Sequence, residues 1–290
     1  LPARAGCLKT LLPRCAFPAP GTPISCAVSG GADSLALLAL AVEAGCAATA
    51  IHVDHGLRPG SADEAEVVAK AAAVLGAAFE SRTAHVAPGP NLEARARQAR
   101  YAALPPDTAT GHTLDDQAET VLLNLLRGSG LDGLAGMRPS ARRPLLRLRR
   151  AETRALCAEL GWQPVEDPSN HDPAFRRNRV RHEVLPLLDD VAGRDLAPLL
   201  ARQADLLRDE ADLLDALAAD LDPADAKALA AAPEPLARRA VRRLLHDGHP
   251  PDAAAVERVL AVARGEALAC EVAPGRRVRR SGGRLYVDPL

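Results

Sequence analysis

Ser29-Gly30-Gly31-Ala32-Asp33-Ser34 joins two segments of opposite character. Before it, Pro23-Ile24-Ser25-Cys26-Ala27-Val28 is short, apolar-leaning and led by proline, the pattern of a buried strand. After it, Leu35 to Ala44 is a run of strong helix formers that stops at Gly45. The hexapeptide therefore reads as a tight turn from strand into helix. Its two glycines permit positive φ and close approach of a ligand to the backbone. The free N–H groups of the first helical turn, at the positive end of the helix dipole, favour a bound anion.

A second copy of the first three letters, Ser281-Gly282-Gly283, serves as a control. Its flanks are Arg279-Arg280 and Arg284-Leu285-Tyr286-Val287, with no apolar helix following, and it reads as a hairpin turn. What distinguishes the first copy is the strand before it, the helix after it and the closing Asp-Ser. A Walker A loop would need Lys before the final Ser or Thr, and the spacing is not GxGxxG. Ser-Gly-Gly-x-Asp-Ser resembles the pyrophosphate-binding loop of the ATP-pyrophosphatase, or PP-loop, superfamily, whose members cleave ATP between the α and β phosphates and pass AMP to a carbonyl-type oxygen. The resemblance implies an ATP site made by Ser29, Gly30, Gly31, Ala32, Asp33 and Ser34, with the two serine hydroxyls on the pyrophosphate. Asp33 beside phosphate would be repulsive unless Mg²⁺ lay between them. Its other reading is a capping or first-turn acid that complements the helix dipole.

Around the loop the chain alternates strand and helix. Ala47 to Val53 reads as a second strand, and Ser61-Ala62-Asp63-Glu64 as a capping box opening a helix to about Leu75. Ala78 to Thr83 is a third strand, Asn91 caps a helix through Ala103, and Asp107 to Thr110 is a short strand. Thr113 caps a helix ending at Arg127-Gly128. This rhythm implies α/β architecture with a doubly wound parallel sheet. Ligands of such sheets lie beyond the carboxyl ends of the strands, so the segments after each strand are the ones to inspect. After the second stands His52-Val53-Asp54-His55-Gly56-Leu57-Arg58. After the short strand stands Gly111-His112-Thr113-Leu114-Asp115-Asp116-Gln117-Ala118-Glu119. Asp116 and Glu119 are three apart and share a helix face. They are either a solvated acidic first turn or a pocket for a cation, Mg²⁺ or an amine, and the position at the mouth of a nucleotide sheet favours the pocket.

These segments continue in order through Arg127-Gly128-Ser129-Gly130-Leu131-Asp132-Gly133-Leu134-Ala135-Gly136-Met137, Arg143-Pro144-Leu145-Leu146, Val165-Glu166-Asp167-Pro168-Ser169-Asn170 and Phe175 to His182. The ordered set, about residues 24 to 188, resembles the tRNA(Ile)-lysidine synthase family. That family uses ATP to attach lysine to the wobble cytidine of an isoleucine tRNA with a CAU anticodon, changing its reading from AUG to AUA. The resemblance implies a PP-loop ATPase, adenine nucleotide alpha hydrolase-like fold, with His52, Arg58 and Gly111 as further nucleotide contacts. It implies that Asp116 and Glu119 grip the amino groups of L-lysine and that Arg181 takes its carboxylate. Asp33, Asp116, Glu119 and His112 become the catalytic candidates, with Asp33 on Mg²⁺ and His112 near the adenosine or the activated intermediate. A 2-thiolation enzyme of the same superfamily is the nearest rival, weakened by the lack of paired cysteines. An inactive nucleotide-binding module is the other.

Composition sets the bounds. A net charge of −1 demands no nucleic acid globally, so any tRNA contact must be a local basic patch. The arginines at 142, 143, 147, 149, 150 and 154 and the basic helix expected from Arg176 to Leu188 are candidates, and alternation with Leu145, Leu146 and Leu148 places some of the first group beside a strand. Six cysteines without C-x-x-C or zinc spacing fit a reducing cytoplasm, and Cys26 and Cys46 read as small core residues. No signal-peptide pattern and no membrane-spanning run is expected. Residues 1–190 are expected to form the PP-loop catalytic domain. Residues 191–290 are expected to form a smaller all-α domain ending in a hairpin remnant, with Leu199, Leu206, Leu213 and Leu217 as a core stripe. Oligomeric state stays open, a homodimer included.

Overall fold

The computed structural model describes residues 5–54, 61–84, 92–248 and 251–289. It divides into two compact units, Leu1–Ala204 and Asp205–Leu290. The expected domain boundary at 190/191 lies ahead of this division.

The first unit opens with α1 (Ala5–Leu11), β1 (Pro23–Ala27) and α2 (Ala32–Glu43), followed by β2 (Ala47–Asp54), α3 (Ser61–Leu75), β3 (Ala78–Thr83) and α4 (Leu92–Ala103). The three strands pair in parallel in the order β1-β2-β3, with Ala27 opposite Ile51 and Asp54 opposite Thr83. Across the other edge of β1, Ala109 makes a parallel bridge to Cys26. The expected strand at 107–110 shrinks to this bridge because the Thr110 N–H turns away to the Arg142 carbonyl. The chain thus winds outward from β1 and then returns to its opposite side. The crevice between β1 and the Ala109 segment is the switch point where ligands of doubly wound sheets bind.

Leu35, Leu37, Leu38 and Leu40 of α2 are wholly buried, as befits a helix apolar on every side. They join Cys26, Ala50, Leu145, Leu148 and Leu156 in the main core, against which Trp162 packs. Next come α5 (Leu114–Leu126), α6 (Leu131–Leu134) and α7 (Arg150–Glu159). The arginine-rich stretch ahead of α7 is a series of turns and not the strand expected there. Its Arg142 and Leu148 carbonyls accept from the Thr110 and Leu114 N–H groups, one on each side of the Gly111-His112 segment.

The expected basic helix from Arg176 forms without a break in helical backbone, as α8 (Arg176–Arg179), a π-helical turn over Val180–Val184, and α9 (Leu185–Ala192) with Pro186 in its first turn. Then α10 (Ala197–Ala219) runs across the division between the units. Of the expected leucine stripe only Leu199 is half-buried, and the three that follow it are not core. Leu206, Leu213 and Leu217 are 48%, 61% and 57% exposed, while Ala201, Ala204, Ala211 and Ala218 form the buried face.

The second unit adds α11 (Ala226–Ala231), α12 (Glu234–Leu245), α13 (Ala253–Arg264), β4 (Ala269–Ala273), β5 (Arg276–Ser281) and β6 (Arg284–Pro289). The expected hairpin is β5–β6. Gly282 and Gly283, at φ 56° and 80°, form its two-residue turn, which the right-handed twist of the strands favours. An antiparallel β4 extends the hairpin to three strands, so helices and a small sheet share this unit.

Candidate active site

The loop after β1 is held by its own closing serine. Ser34 Oγ donates to the Gly31 carbonyl at 2.8 Å and accepts from the Ser29 N–H at 3.1 Å. Gly30 sits at φ 83°, where a side chain would be strained, and a Cβ there would lie 3.1 Å from Val165 Cγ2. The Gly30 carbonyl accepts from the Val165 N–H, which brings the Val165-Glu166-Asp167 segment over the loop. Gly31 is the N-cap of α2 and has no side chain to cap it, so amides of the first turn remain to face an anion. The Ser29 side expected on pyrophosphate is exposed, whereas Ser34 is buried and engaged within the turn.

Gly111 meets this loop from the facing segment. A Cβ on it would fall 2.7 Å from the Asp33 carbonyl oxygen and 2.8 Å from the carbonyl carbon. It is glycine because two backbones pass each other there. His52, at the end of β2, is fully buried and donates from Nδ1 to the Val28 carbonyl at 3.0 Å, bracing the residue before the loop. The carbonyl can only accept, so Nδ1 carries a proton; Nε2, the acceptor of that tautomer, is buried without a partner among the described residues. Arg58, like His55 and Asn91, lies outside the described residues.

The start of α5 performs two tasks. Asp116 Oδ2 accepts from the Thr113 N–H at 2.8 Å and from Thr113 Oγ1 at 2.9 Å, closing a capping box. Its Oδ1 faces the other way, beside Glu119. Both carboxylates are buried, Glu119 completely. Three guanidiniums surround them. Arg181 donates from Nε to Glu119 Oε1 at 2.7 Å and from Nη2 to Oε2 at 3.2 Å. Arg177 donates from Nε to Glu119 Oε2 at 2.7 Å and from Nη2 to Asp116 Oδ1 at 3.3 Å. Arg150 places a single nitrogen, Nη2, 3.0 Å from Asp116 Oδ1 and 3.1 Å from Glu119 Oε1.

Arg150 also reaches the loop, with Nε 3.5 Å from Asp33 Oδ2. One turn on, the buried Thr153 hydroxyl donates to Asp33 Oδ1. The first two turns of α7 therefore bring Asp33 together with Asp116 and Glu119. Sequence reasoning missed Arg150, Thr153 and Arg177 as site residues. The sequence places Arg149 and Arg150 among the basic residues expected to face tRNA phosphates. In the structure Arg150 turns inward, and Arg149, at the edge of the site, pairs with Asp115 and Asp195.

Burial pushes the Asp33 carboxyl up to about 6, against the opposing Thr153 hydrogen bond, with the Asp116 charge adding to the rise. Burial also opposes ionisation of Asp116, but Arg150, Arg177, His112 and the Thr113 N–H outweigh it and hold that carboxyl down to about 2. His112 is half-buried, with Nδ1 2.7 Å from Thr110 Oγ1. Two acids in one site thus have widely separated affinities for a proton. Asp116 is a fixed negative charge, and Asp33 titrates within reach of neutrality.

Residues 9–188 match the PP-loop domain family, and residues 225–286 match the TilS substrate binding domain family. A tRNA(Ile)-lysidine synthase of Nocardia farcinica is 50% identical over 80% of this chain and 78% of its own length. Another from Rhodococcus opacus is 49% identical over 78% of this chain and 75% of its own. Among solved structures, the U34-tRNA thiolase NcsA from Methanococcus maripaludis, with its 4Fe-4S cluster, superposes at a TM-score of 0.53. It covers 70% of this chain and 77% of that one at 19% identity, a likeness of fold.

Proposed function

The chain belongs to the tRNA(Ile)-lysidine synthase family, and from that premise we propose that it joins L-lysine to C2 of the wobble cytidine in the CAU anticodon of an isoleucine tRNA, cleaving ATP to AMP and diphosphate. The observation that supports one shared site is the link from α7: Arg150 and Thr153 hold Asp33 of the loop beside Asp116 and Glu119 of α5.

In the first half-reaction the cytosine O2 attacks the α-phosphorus and diphosphate departs. Amides leading into α2, with the helix dipole behind them, face the charge that grows on the leaving group. His52 Nε2 offers a buried acceptor to a hydroxyl or amino group of the nucleoside. Asp33 is the carboxylate that would hold Mg²⁺, which supplies neutralisation of the phosphate charge. The donor set fits an ion of that kind. Asp33 stands at a helix N-terminus, and among the described residues no group of three His, Cys, Asp or Glu side chains is placed to hold a metal ion by itself. A metal there would take most of its ligands from phosphates and water, as Mg²⁺ does.

In the second half-reaction the lysine ε-amine attacks C2 and AMP leaves. Asp116 and Glu119 hold the incoming ammonium by charge. Asp116, with its proton affinity so low, is a poor base and serves to orient the amine. Arg181 or Arg177 meets the lysine carboxylate once an ammonium shares the negative charge of Glu119. Incubation with unmodified isoleucine tRNA, ATP and radiolabelled lysine tests the reading. Label is expected in isoleucine tRNA bearing CAU and not in methionine tRNA with the same anticodon. ATP binding without any transfer of label would reduce the protein to a nucleotide-binding module.

A further inference from the structure

The acid cluster is already neutral without substrate. Asp33, Asp116 and Glu119 face Arg150, Arg177 and Arg181, three negative charges against three positive. Both Glu119 oxygens already accept twice. A lysine ammonium cannot enter such a buried cluster as a fourth cation without large desolvation and repulsion. One guanidinium has to yield, and the three are not equal. Arg177 and Arg181 each grip Glu119 through Nε at 2.7 Å and add a second nitrogen to the pair. Arg150 holds the pair through one nitrogen shared between two oxygens, a seat that a single ammonium nitrogen can take atom for atom. Arg150 also has somewhere to go, because its Nε already stands beside Asp33 at the pyrophosphate loop.

We propose that Arg150 is a positioning residue that keeps the ammonium seat between Asp116 and Glu119 filled until lysine displaces it, and that its released guanidinium then turns to the pyrophosphate loop and couples the two substrates. This rests on the reading of Asp116 and Glu119 as the lysine grip. Reciprocity follows: if lysine frees Arg150 for the phosphates, bound phosphates draw Arg150 away and tighten lysine by the same factor.

Calorimetric titration of the whole protein with lysine, with and without magnesium pyrophosphate, tests it. In the wild type pyrophosphate should tighten lysine about ten-fold, within the usual range of coupling between sites. Arg150→Gln should bind lysine about five-fold tighter than wild type without pyrophosphate, because the seat is vacant and the cluster is left one positive charge short. It should also lose the coupling. Arg150→Lys keeps a cation in the seat but cannot span to Asp33. It should bind lysine as the wild type does, with coupling below about two-fold. The wild-type and Arg150→Lys arms decide the matter even if Arg150→Gln fails to fold. Absence of coupling in the wild type, or its persistence in Arg150→Lys, would overturn the proposal. Norleucine, which lacks the ε-amine, separates the two readings. If it binds the wild type as tightly as lysine, the grip at Asp116 and Glu119 is wrong. If lysine is strongly preferred but uncoupled, only the role of Arg150 falls.

Discussion

At the scale of single residues, the two acids that face one another through Arg150 are tuned in opposite directions. Asp116 accepts a backbone N–H and meets guanidiniums, so it stays ionised at any working pH. Asp33 is held up at about 6 chiefly by burial, and it must be ionised to face a cation on the phosphates. At subsaturating magnesium ATP, where the profile reports the free enzyme, formation of the adenylated tRNA should therefore rise with pH through about 6 and level off above it. The Thr153 hydrogen bond favours the ionised form, so Thr153→Val raises the proton affinity of Asp33 further and moves that acid limb to higher pH. A pH profile of diphosphate release in the two proteins checks the sign. A limb that stays put or moves down would remove Thr153 from this role. Asp33 and Asp116 were legible in the sequence because each lies just after a strand, at a helix start. Thr153 and Arg150 were not, since nothing in Arg149-Arg150-Ala151-Glu152-Thr153 marks which arginine turns inward; burial decides that.

At the scale of elements, the switch point of the sheet brings two backbones closer than any side chain allows. Gly111 has no positive φ to excuse its type, so its need for hydrogen at Cα is wholly steric. Gly111→Ala should push the facing segment off the loop and lower the rate of diphosphate release about 100-fold or more, as displacement of about 1 Å does in a positioned site. Gly193→Ala, at φ 64° with open space around it, should instead cost about 1 kcal/mol of stability and leave that rate unchanged. Rate assays with thermal melts of the two variants separate a blocked approach from a strained helix end. β1, β2 and β3, at Ala78–Thr83, followed their periodicity closely, whereas the strand expected at 107–110 reduced to one bridge. Three features did not show in the pattern. The turns before α7 put leucines inside at Leu145 and Leu148, a spacing that also suits a strand flanked by arginine. The π-helical turn closes with the Leu185 N–H on the Val180 carbonyl, a widening that has no residue signature and shifts the register of all that follows Arg181. On α10 Ala201, Ala204, Ala211 and Ala218 are buried where Leu206, Leu213 and Leu217 are exposed, so hydrophobicity alone named the wrong face of the helix.

At the scale of the whole molecule, the two family matches fall on the two compact units, the PP-loop match within the first and the TilS substrate binding match within the second. No helix of the described residues is long and apolar enough to cross a membrane. All six cysteines are unpaired, and burial pushes Cys15, Cys26 and Cys157 up to about 12, so these thiols do not act as thiolates. What remains to be tested most directly is whether one site divides the two half-reactions between the loop and the acid turn. Rapid-quench analysis of adenylated and lysidine-bearing tRNA does this for the wild type, Asp33→Asn and Glu119→Gln. Wild type without lysine and folded Glu119→Gln with lysine should both accumulate adenylated tRNA, whereas Asp33→Asn should form neither product. Loss of adenylation in Glu119→Gln to the same extent as in Asp33→Asn, or normal adenylation in Asp33→Asn, would contradict that division.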